Sequence, residues 1–284
     1  MKQCVCVVIG LTSLWVGSMN LFGQQLPIMK KQPWLGFFSG YERRDFHFGV
    51  YNDGECALFL MKSRKVRASM TKTVKIYPEL YVENEEGERS NKRLKEHEGF
   101  LTQLEPGLDH KKVSFTAETT GDAKVEILIQ YDGDKIIMDG KVLDRGQLGE
   151  GKIYFGYKVM MPSFYYAATY GKDKDKAKSV MRRDDFRFTR AIDGKRVSLK
   201  VYEKYNLGSD ELAKNGITKL EVEMSAQEGK EFIFTTLDGK GVFELSNRFD
   251  GRESEPWKGY YVRWYRPMNE KKGDEIKPFV IIVR

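Results

Sequence analysis

Apolar and polar residues alternate with a period of two along most of this chain. In Lys152–Met161, Ile153, Phe155, Tyr157, Val159 and Met161 fall on one side, with Lys152, Tyr154 and Lys158 on the other. In Lys195–Tyr205, Val197, Leu199 and Val201 alternate with Ser198, Lys200 and Tyr202. A period of two is the signature of a strand with one face on a core. The same pattern recurs in Ala123–Tyr131, Lys219–Met224, Glu231–Leu237, Val242–Asn247, Tyr260–Arg266 and Pro278–Arg284. Lys135–Asp144 reads as a further strand, with Asp139-Gly140 as the place for a bulge.

Between these runs lie Asn52-Asp53-Gly54, Asp132-Gly133, Asp193-Gly194, Asp238-Gly239 and Asp250-Gly251. Such dipeptides supply the positive φ that tight hairpins need. Helix is scarce. Ser209–Gly216 has an N-cap serine, acids in its first turn and a terminal glycine, and predicts two helical turns. Asp173–Arg182 reads as a second short helix or a charged loop, and the polar stretch Asn84–His97 as an exposed loop. Strands joined by hairpins with so little helix predict an all-β fold. The expected architecture is an antiparallel two-sheet β-sandwich, jelly-roll-like, with one or two short helices.

The N-terminus breaks the alternation. Lys2 is the only charge before an apolar run from Cys4 to Val16, followed by the small residues Gly17, Ser18 and Gly23. That order predicts a secretory signal peptide over residues 1–23. Uncharged from Cys4 to Phe22, the segment is also just long enough for a retained anchor. The expectation is an exported chain (periplasmic, extracellular or cell-surface) whose residues 24–284 form a single large domain with no membrane contact after cleavage. Its oligomeric state is not legible. Of the three cysteines, two precede residue 24, so Cys56 alone remains and no intrachain disulfide can form. Cys56 stands in an apolar run and reads as a core thiol.

The 284 residues are 40% hydrophobic and 31% charged, with net charge +7, which excludes a disordered chain and a polytopic membrane protein. The basic residues are spread among acids rather than gathered into a stripe, which argues against nucleic acid as a partner. A glycan or another cell-surface polymer fits a mildly basic exported protein better.

Candidate chemistry is sparse. The histidines His47, His97 and His110 lie far apart, with no His-x-x-x-His and no cysteine pair, so no metal site and no cofactor is predicted. Neither a Gly-x-Ser-x-Gly elbow nor a phosphate-binding glycine loop occurs. Asp132-Gly-Asp134 lacks the remaining ligands of a calcium loop.

Two stretches stand out. If Tyr41–Gly49 is one strand, Tyr41, Arg43, Asp45 and His47 line a single face. Arg43 would neutralise a sugar carboxylate while His47 or Tyr41 moves the adjacent proton, so these are the catalytic candidates of a lyase. The competing reading is the wet face of an ordinary strand. In Trp257–Arg266, alternation sets Tyr260, Val262 and Trp264 against Tyr261, Arg263 and Tyr265. One set is core. The other, with Trp257, would offer aromatic rings beside a guanidinium to a sugar. The competing reading is cross-strand packing by good strand formers. Aromatics are abundant and histidine and cysteine are few. The sequence therefore favours a non-catalytic carbohydrate- or surface-binding module. The alternatives are a polysaccharide-active enzyme, by β-elimination or carboxylate-based hydrolysis, and an interaction protein without a small ligand.

Overall fold

The computed structural model describes residues 25–63, 65–95, 99–162, 174–201, 206–207, 216–224, 229–239, 241–246, 260–268 and 277–284. The predicted signal peptide, most of the predicted helix Ser209–Gly216, the turn Asp250-Gly251, Trp257 and His97 lie outside these residues.

The described strands are β1 (Phe37–Glu42), β2 (Phe46–Tyr51), β3 (Cys56–Ser63), β4 (Val66–Arg67), β5 (Val74–Glu83), β6 (Arg89–Lys92), β7 (Gly107–Leu108), β8 (Lys112–Glu118), β9 (Lys124–Asp132) and β10 (Lys135–Asp144). There follow β11 (Lys152–Met160), β12 (Asp185–Arg190), β13 (Arg196–Lys200), β14 (Asn206–Leu207), β15 (Ile217–Met224), β16 (Lys230–Thr236), β17 (Phe243–Ser246), β18 (Tyr261–Pro267) and β19 (Phe279–Val283). Helix α1 (Lys174–Val180) falls within the charged stretch Asp173–Arg182, and a 3-10 turn occupies Met70–Lys72.

The fold is all-β, as the alternation predicts, but the strands do not form two separate sheets. They hydrogen-bond into one curled mixed sheet. One run is β7-β1-β2-β3-β5-β11-β18-β17. A second is β13-β12-β15-β16-β19-β10-β9-β8. The pair Ile217↔Phe243 joins them between β15 and β17. Among the described residues all strand pairings are antiparallel except β1 with β7. The two runs are thus joined rather than separate, because period-two patterning fixes which way a residue faces and says nothing of which edges meet.

The apolar faces of the two runs meet. Tyr41 of β1 lies flat on Tyr131 of β9, with ring centroids 4.2 Å apart and planes 8° from parallel. Trp264 of β18 stacks on Phe279 of β19 at 5.8 Å. The Tyr157 hydroxyl donates across the core to the Asp139 carbonyl at 2.6 Å. One buried cluster extends from Leu26 to Val283. Each fully buried aromatic or branched side chain in it stabilises the fold by roughly 1.5–3 kcal/mol. Asp139-Gly140 is no bulge. Gly140 pairs in register with Ile127, and the register shifts only between Val142 and Asp144. A Cβ at Gly140 would stand 2.3 Å from the Phe155 ring, so close packing dictates this glycine.

Asn84–His97 is not the simple loop expected. Arg89–Lys92 form β6 and pair with Leu80–Glu83, and Leu94 bridges to Thr119. This stretch carries no apolar alternation because β6 is an edge strand with little buried surface. On the outer side of β1–β3, Trp34, Phe37, Ala57 and Phe59 form a second buried cluster. Gly40 and Gly49 admit the Trp34 ring, since a Cβ on either would come within 2.8 Å of it.

Candidate functional site

The outer face of β6, β5, β11, β18 and β17 is polar yet largely covered. Antiparallel register sets its rows. Tyr77, Lys158, Arg263 and Glu244 stand abreast, as do Glu79, Gly156 and Tyr265. Gly156 is demanded by the close pairing with β18, because a Cβ there would lie 2.1 Å from the Trp264 carbonyl and 2.8 Å from the Tyr265 ring.

Arg263 organises the face. Its Nε lies 3.1 Å from Glu79 Oε2, and one terminal nitrogen 3.6 Å from Glu244 Oε2. Glu79 also accepts from the Tyr81 hydroxyl, and at 3.2 Å from the Asn91 amide. Glu244 accepts from Tyr261 at 2.8 Å and from Tyr265 at 3.4 Å. Every oxygen of the two carboxylates therefore has a donor. Both glutamates are buried, at 7% and 4% exposure, which is tolerable only because they are so paired. The guanidinium also lies over the rings of Tyr261 at 4.8 Å and Tyr81 at 5.4 Å.

Burial would lower the Arg263 guanidinium, but Tyr265, Glu79, Tyr81 and Glu244 around it hold it above its usual range. Burial raises the phenols of Tyr81, Tyr261 and Tyr265. Lys158 goes the other way. Burial lowers its ammonium, and the neighbouring Arg263 pushes it further down.

A pocket of about 440 Å³ opens beside this network. Tyr77, Glu79, Lys158 and Met160 of the sheet face line one side of it. Asp53, Glu55, Arg93, Leu94 and Lys95 complete the wall. The volume lies within the range of small-molecule sites.

Tyr261, Arg263 and Tyr265 share this face, with Tyr260, Val262 and Trp264 in the core, as the alternation in β18 predicts. The two tyrosine rings are not displayed to solvent, however. They are 8% and 6% exposed, because their hydroxyls turn to Glu244, Arg263 packs over the Tyr261 ring, and Tyr81 meets the Tyr265 ring edge-on.

The structure does not bring Tyr41, Arg43 and His47 onto one strand face. The Arg43 amide donates to the Phe46 carbonyl at 2.9 Å, closing a hairpin in which Glu42 pairs with His47 and Tyr41 with Phe48. Directly paired residues share a face, so Tyr41 enters the core, 2% exposed, while His47 stays on the outer side. Arg43 and His47 do line one recess of about 490 Å³ with Glu42, Arg44, Asp45 and Asp134. His47 Nδ1 accepts from Arg67 Nε at 3.3 Å, and the Arg67 guanidinium is clasped between Trp34 and Phe59 at 4.4 and 4.3 Å. Burial lowers the His47 imidazole, with Arg67 acting in the same direction against Glu42 and Asp109.

Sequence reasoning missed Glu79, Glu244 and Lys158. Their signal was the same alternation: Tyr77, Glu79 and Tyr81 interleave with Ile76, Pro78 and Leu80, and Lys158 with Tyr157 and Val159. Among the described residues, no group of three or more His, Cys, Asp or Glu side chains could hold a metal ion. Likewise, no described helix is long and apolar enough to cross a membrane.

Fold and face together define an all-β protein with a polar pocket on its sheet. No protein-family model matches the chain, and no curated protein matches it in sequence. Among solved structures it is similar to a crystal structure of a candidate aldose 1-epimerase from Escherichia coli K12. The two share 7% sequence identity over 87% of this chain and 98% of that chain, with a TM-score of 0.44.

Proposed function

We propose that this chain is an exported carbohydrate-binding protein that takes its ligand in the pocket above Tyr77, Glu79 and Lys158. Residues 1–23 act as the export signal in this reading. Residues 24–284 act as one domain, with the two facing runs serving as the layers of a jelly-roll-like sandwich. The observation that carries the reading is the pocket's seat on a sheet face of pre-paired donors and acceptors. A sugar needs both polar groups fixed in place for its hydroxyls and apolar atoms for its C–H faces. Lys158 of the sheet face and Asp53 and Arg93 of the wall supply the first, and Tyr77 and Met160 the second.

Binding is favoured over catalysis by the carboxylates themselves. Glycoside hydrolysis needs one carboxyl group to hand over a proton. Glu79 and Glu244 instead accept bonds on all four oxygens and share Arg263.

The test is a glycan array with the purified protein, followed by calorimetry on any hit. Saturable binding that Tyr77→Ala abolishes while the melting curve stays cooperative is the expected result. Absence of any glycan ligand would refute the proposal. The recess at Arg43 and His47 favours a second reading, a polysaccharide-active enzyme of the lyase type. It predicts unsaturated sugar products absorbing in the ultraviolet, lost in Arg43→Gln, and fails if no polysaccharide yields them.

A further inference from the structure

We infer that Asp122, on the turn from β8 to β9, is a positioning residue of the pocket. Through Lys95 it fixes the wall made by Arg93, Leu94 and Lys95, so ligand affinity is governed in part from the run that does not bear the pocket. The inference rests on the reading of this pocket as a sugar site and names what regulates it.

The chain reaches this wall from β6, an edge strand whose side chains are largely exposed. From there it crosses to the second run. The Lys95 amide donates to the Glu118 carbonyl at 2.8 Å, the Thr120 amide donates to the Arg93 carbonyl at 2.8 Å, and Leu94 bridges to Thr119. Leu94 also meets the turn between β2 and β3, where a Cβ at Gly54 would stand 3.1 Å from its side chain. Asp53 and Glu55 flank that glycine, so the two parts of the wall rest on each other at Leu94.

Side chains complete the attachment. The Lys95 ammonium pairs with Asp122 and lies 3.7 Å from Glu118. Asp122 in turn is held from behind. Its other carboxylate oxygen accepts from the Gln147 side-chain amide at 2.8 Å, and its backbone amide donates to the Thr119 carbonyl at 2.9 Å. A Cβ at Gly146 would stand 2.3 Å from the Asp122 carbonyl, so the segment behind the turn is pressed against it. The φ of Asp122 is 59°, a left-handed conformation that surrounding contacts must enforce. The turn therefore presents its carboxylate at a fixed place, and Lys95 is drawn to it. Asp122 is not itself a lining residue of the pocket.

A wall fixed before the ligand arrives does not have to be ordered on binding. Without the Asp122 carboxylate the backbone bonds remain, but the Lys95 side chain is released and the segment opens more often. Binding then has to order it. The ion pair is half-exposed, with side chains 26% and 45% accessible, so it adds little to global stability. Affinity and stability are therefore separable at this residue. The coupling is reciprocal: a ligand in the pocket slows opening at Lys95 and Thr120.

The experiment joins hydrogen exchange to calorimetry on the purified protein, with cellotetraose, maltotetraose, xylotetraose and mannotetraose as probes. Asp122→Asn is the test variant, because asparagine tolerates the left-handed backbone and still accepts from Gln147. Asp193→Asn, an equal charge change in the hairpin between β12 and β13, is the control. In Asp122→Asn the Lys95 amide is expected to exchange about three to five times faster. The tightest-binding tetraose is expected to lose about threefold to tenfold in affinity, with the melting temperature within about 2 °C of wild type. Asp193→Asn is expected to leave both exchange at Lys95 and affinity unchanged. In the wild type, bound tetraose is expected to slow exchange at Lys95 and Thr120. Unchanged exchange or unchanged affinity in Asp122→Asn overturns the inference and leaves the sugar site standing. An equal affinity loss in Asp193→Asn reduces the effect to net charge, and a large fall in the melting temperature of Asp122→Asn makes the role structural; either overturns the inference. Failure of the wild type to bind any of the tetraoses overturns the sugar site itself, and the inference with it.

Discussion

Glu244 and Arg263 face each other as register partners on β17 and β18, with carboxylate and guanidinium 3.6 Å apart. Through the same guanidinium Glu244 is linked to Glu79 on β5, three strands along the sheet. Removing the cation leaves two buried carboxylates facing one another. Arg263→Met is expected to lose about 3–5 kcal/mol in chemical denaturation. Arg263→Lys recovers only part of that, because a single ammonium lacks the planar fork that reaches both glutamates. A loss under about 1 kcal/mol in Arg263→Met would refute the bridging role.

Gly156 permits the close pairing of β11 with β18 at Tyr265. A methyl group there would stand 2.1 Å from the Trp264 carbonyl, a contact that no rotamer relieves. Gly156→Ala is expected to cost more than about 3 kcal/mol and to lower soluble yield. Gly87→Ala, where a Cβ meets nothing within 4 Å but φ is +81°, is expected to cost only about 1 kcal/mol. Thermal melts of the two variants distinguish packing from backbone strain.

The Tyr41–Tyr131 stack joins the two runs through the core. Tyr41→Ala is expected to cost about 3–5 kcal/mol, from lost burial and an unfilled cavity. Tyr41→Phe is expected to be nearly neutral, because among the described residues the hydroxyl reaches only the Gly133 carbonyl, at 3.4 Å. If Tyr41→Phe abolished an activity while leaving stability intact, the purely structural role of this residue would be wrong.

His47 gives the fold a pH dependence of definite sign. Burial and Arg67 lower its folded-state value below 6.5, outweighing Glu42 and Asp109. The unfolded chain then takes up a proton first as acid is added. Stability is therefore complete above about pH 6.5 and falls progressively below it. Urea midpoints between pH 7.5 and 5 are expected to slope less in His47→Gln than in the wild type. Parallel slopes would contradict this.

Alternation separated the two faces of β18, because it is a local property of one strand, but it did not show that Tyr261 and Tyr265 are covered. It could not reveal that Glu244 and Glu79, far apart along the chain, meet on one arginine, since strand order is set by packing between distant segments. The misreading of Tyr41–Gly49 has a specific cause. The run Arg43-Arg44-Asp45 is a turn, not the middle of a strand, and a hairpin there puts Tyr41 opposite Phe48 and into the core. Four consecutive charges, Glu42 to Asp45, between Tyr41 and Phe46 were the available sign. The edge strand β6 was illegible for the opposite reason: with no buried side, it needs no alternation.

The joins between the two runs have a mechanical consequence. Besides Ile217↔Phe243, the bridge between Leu94 and Thr119 ties the segment after β6 to the end of β8, so the runs share backbone at more than one place. A load on β5, β11, β18 and β17 is therefore passed to the other run through the chain itself as well as through the aromatic filling between them.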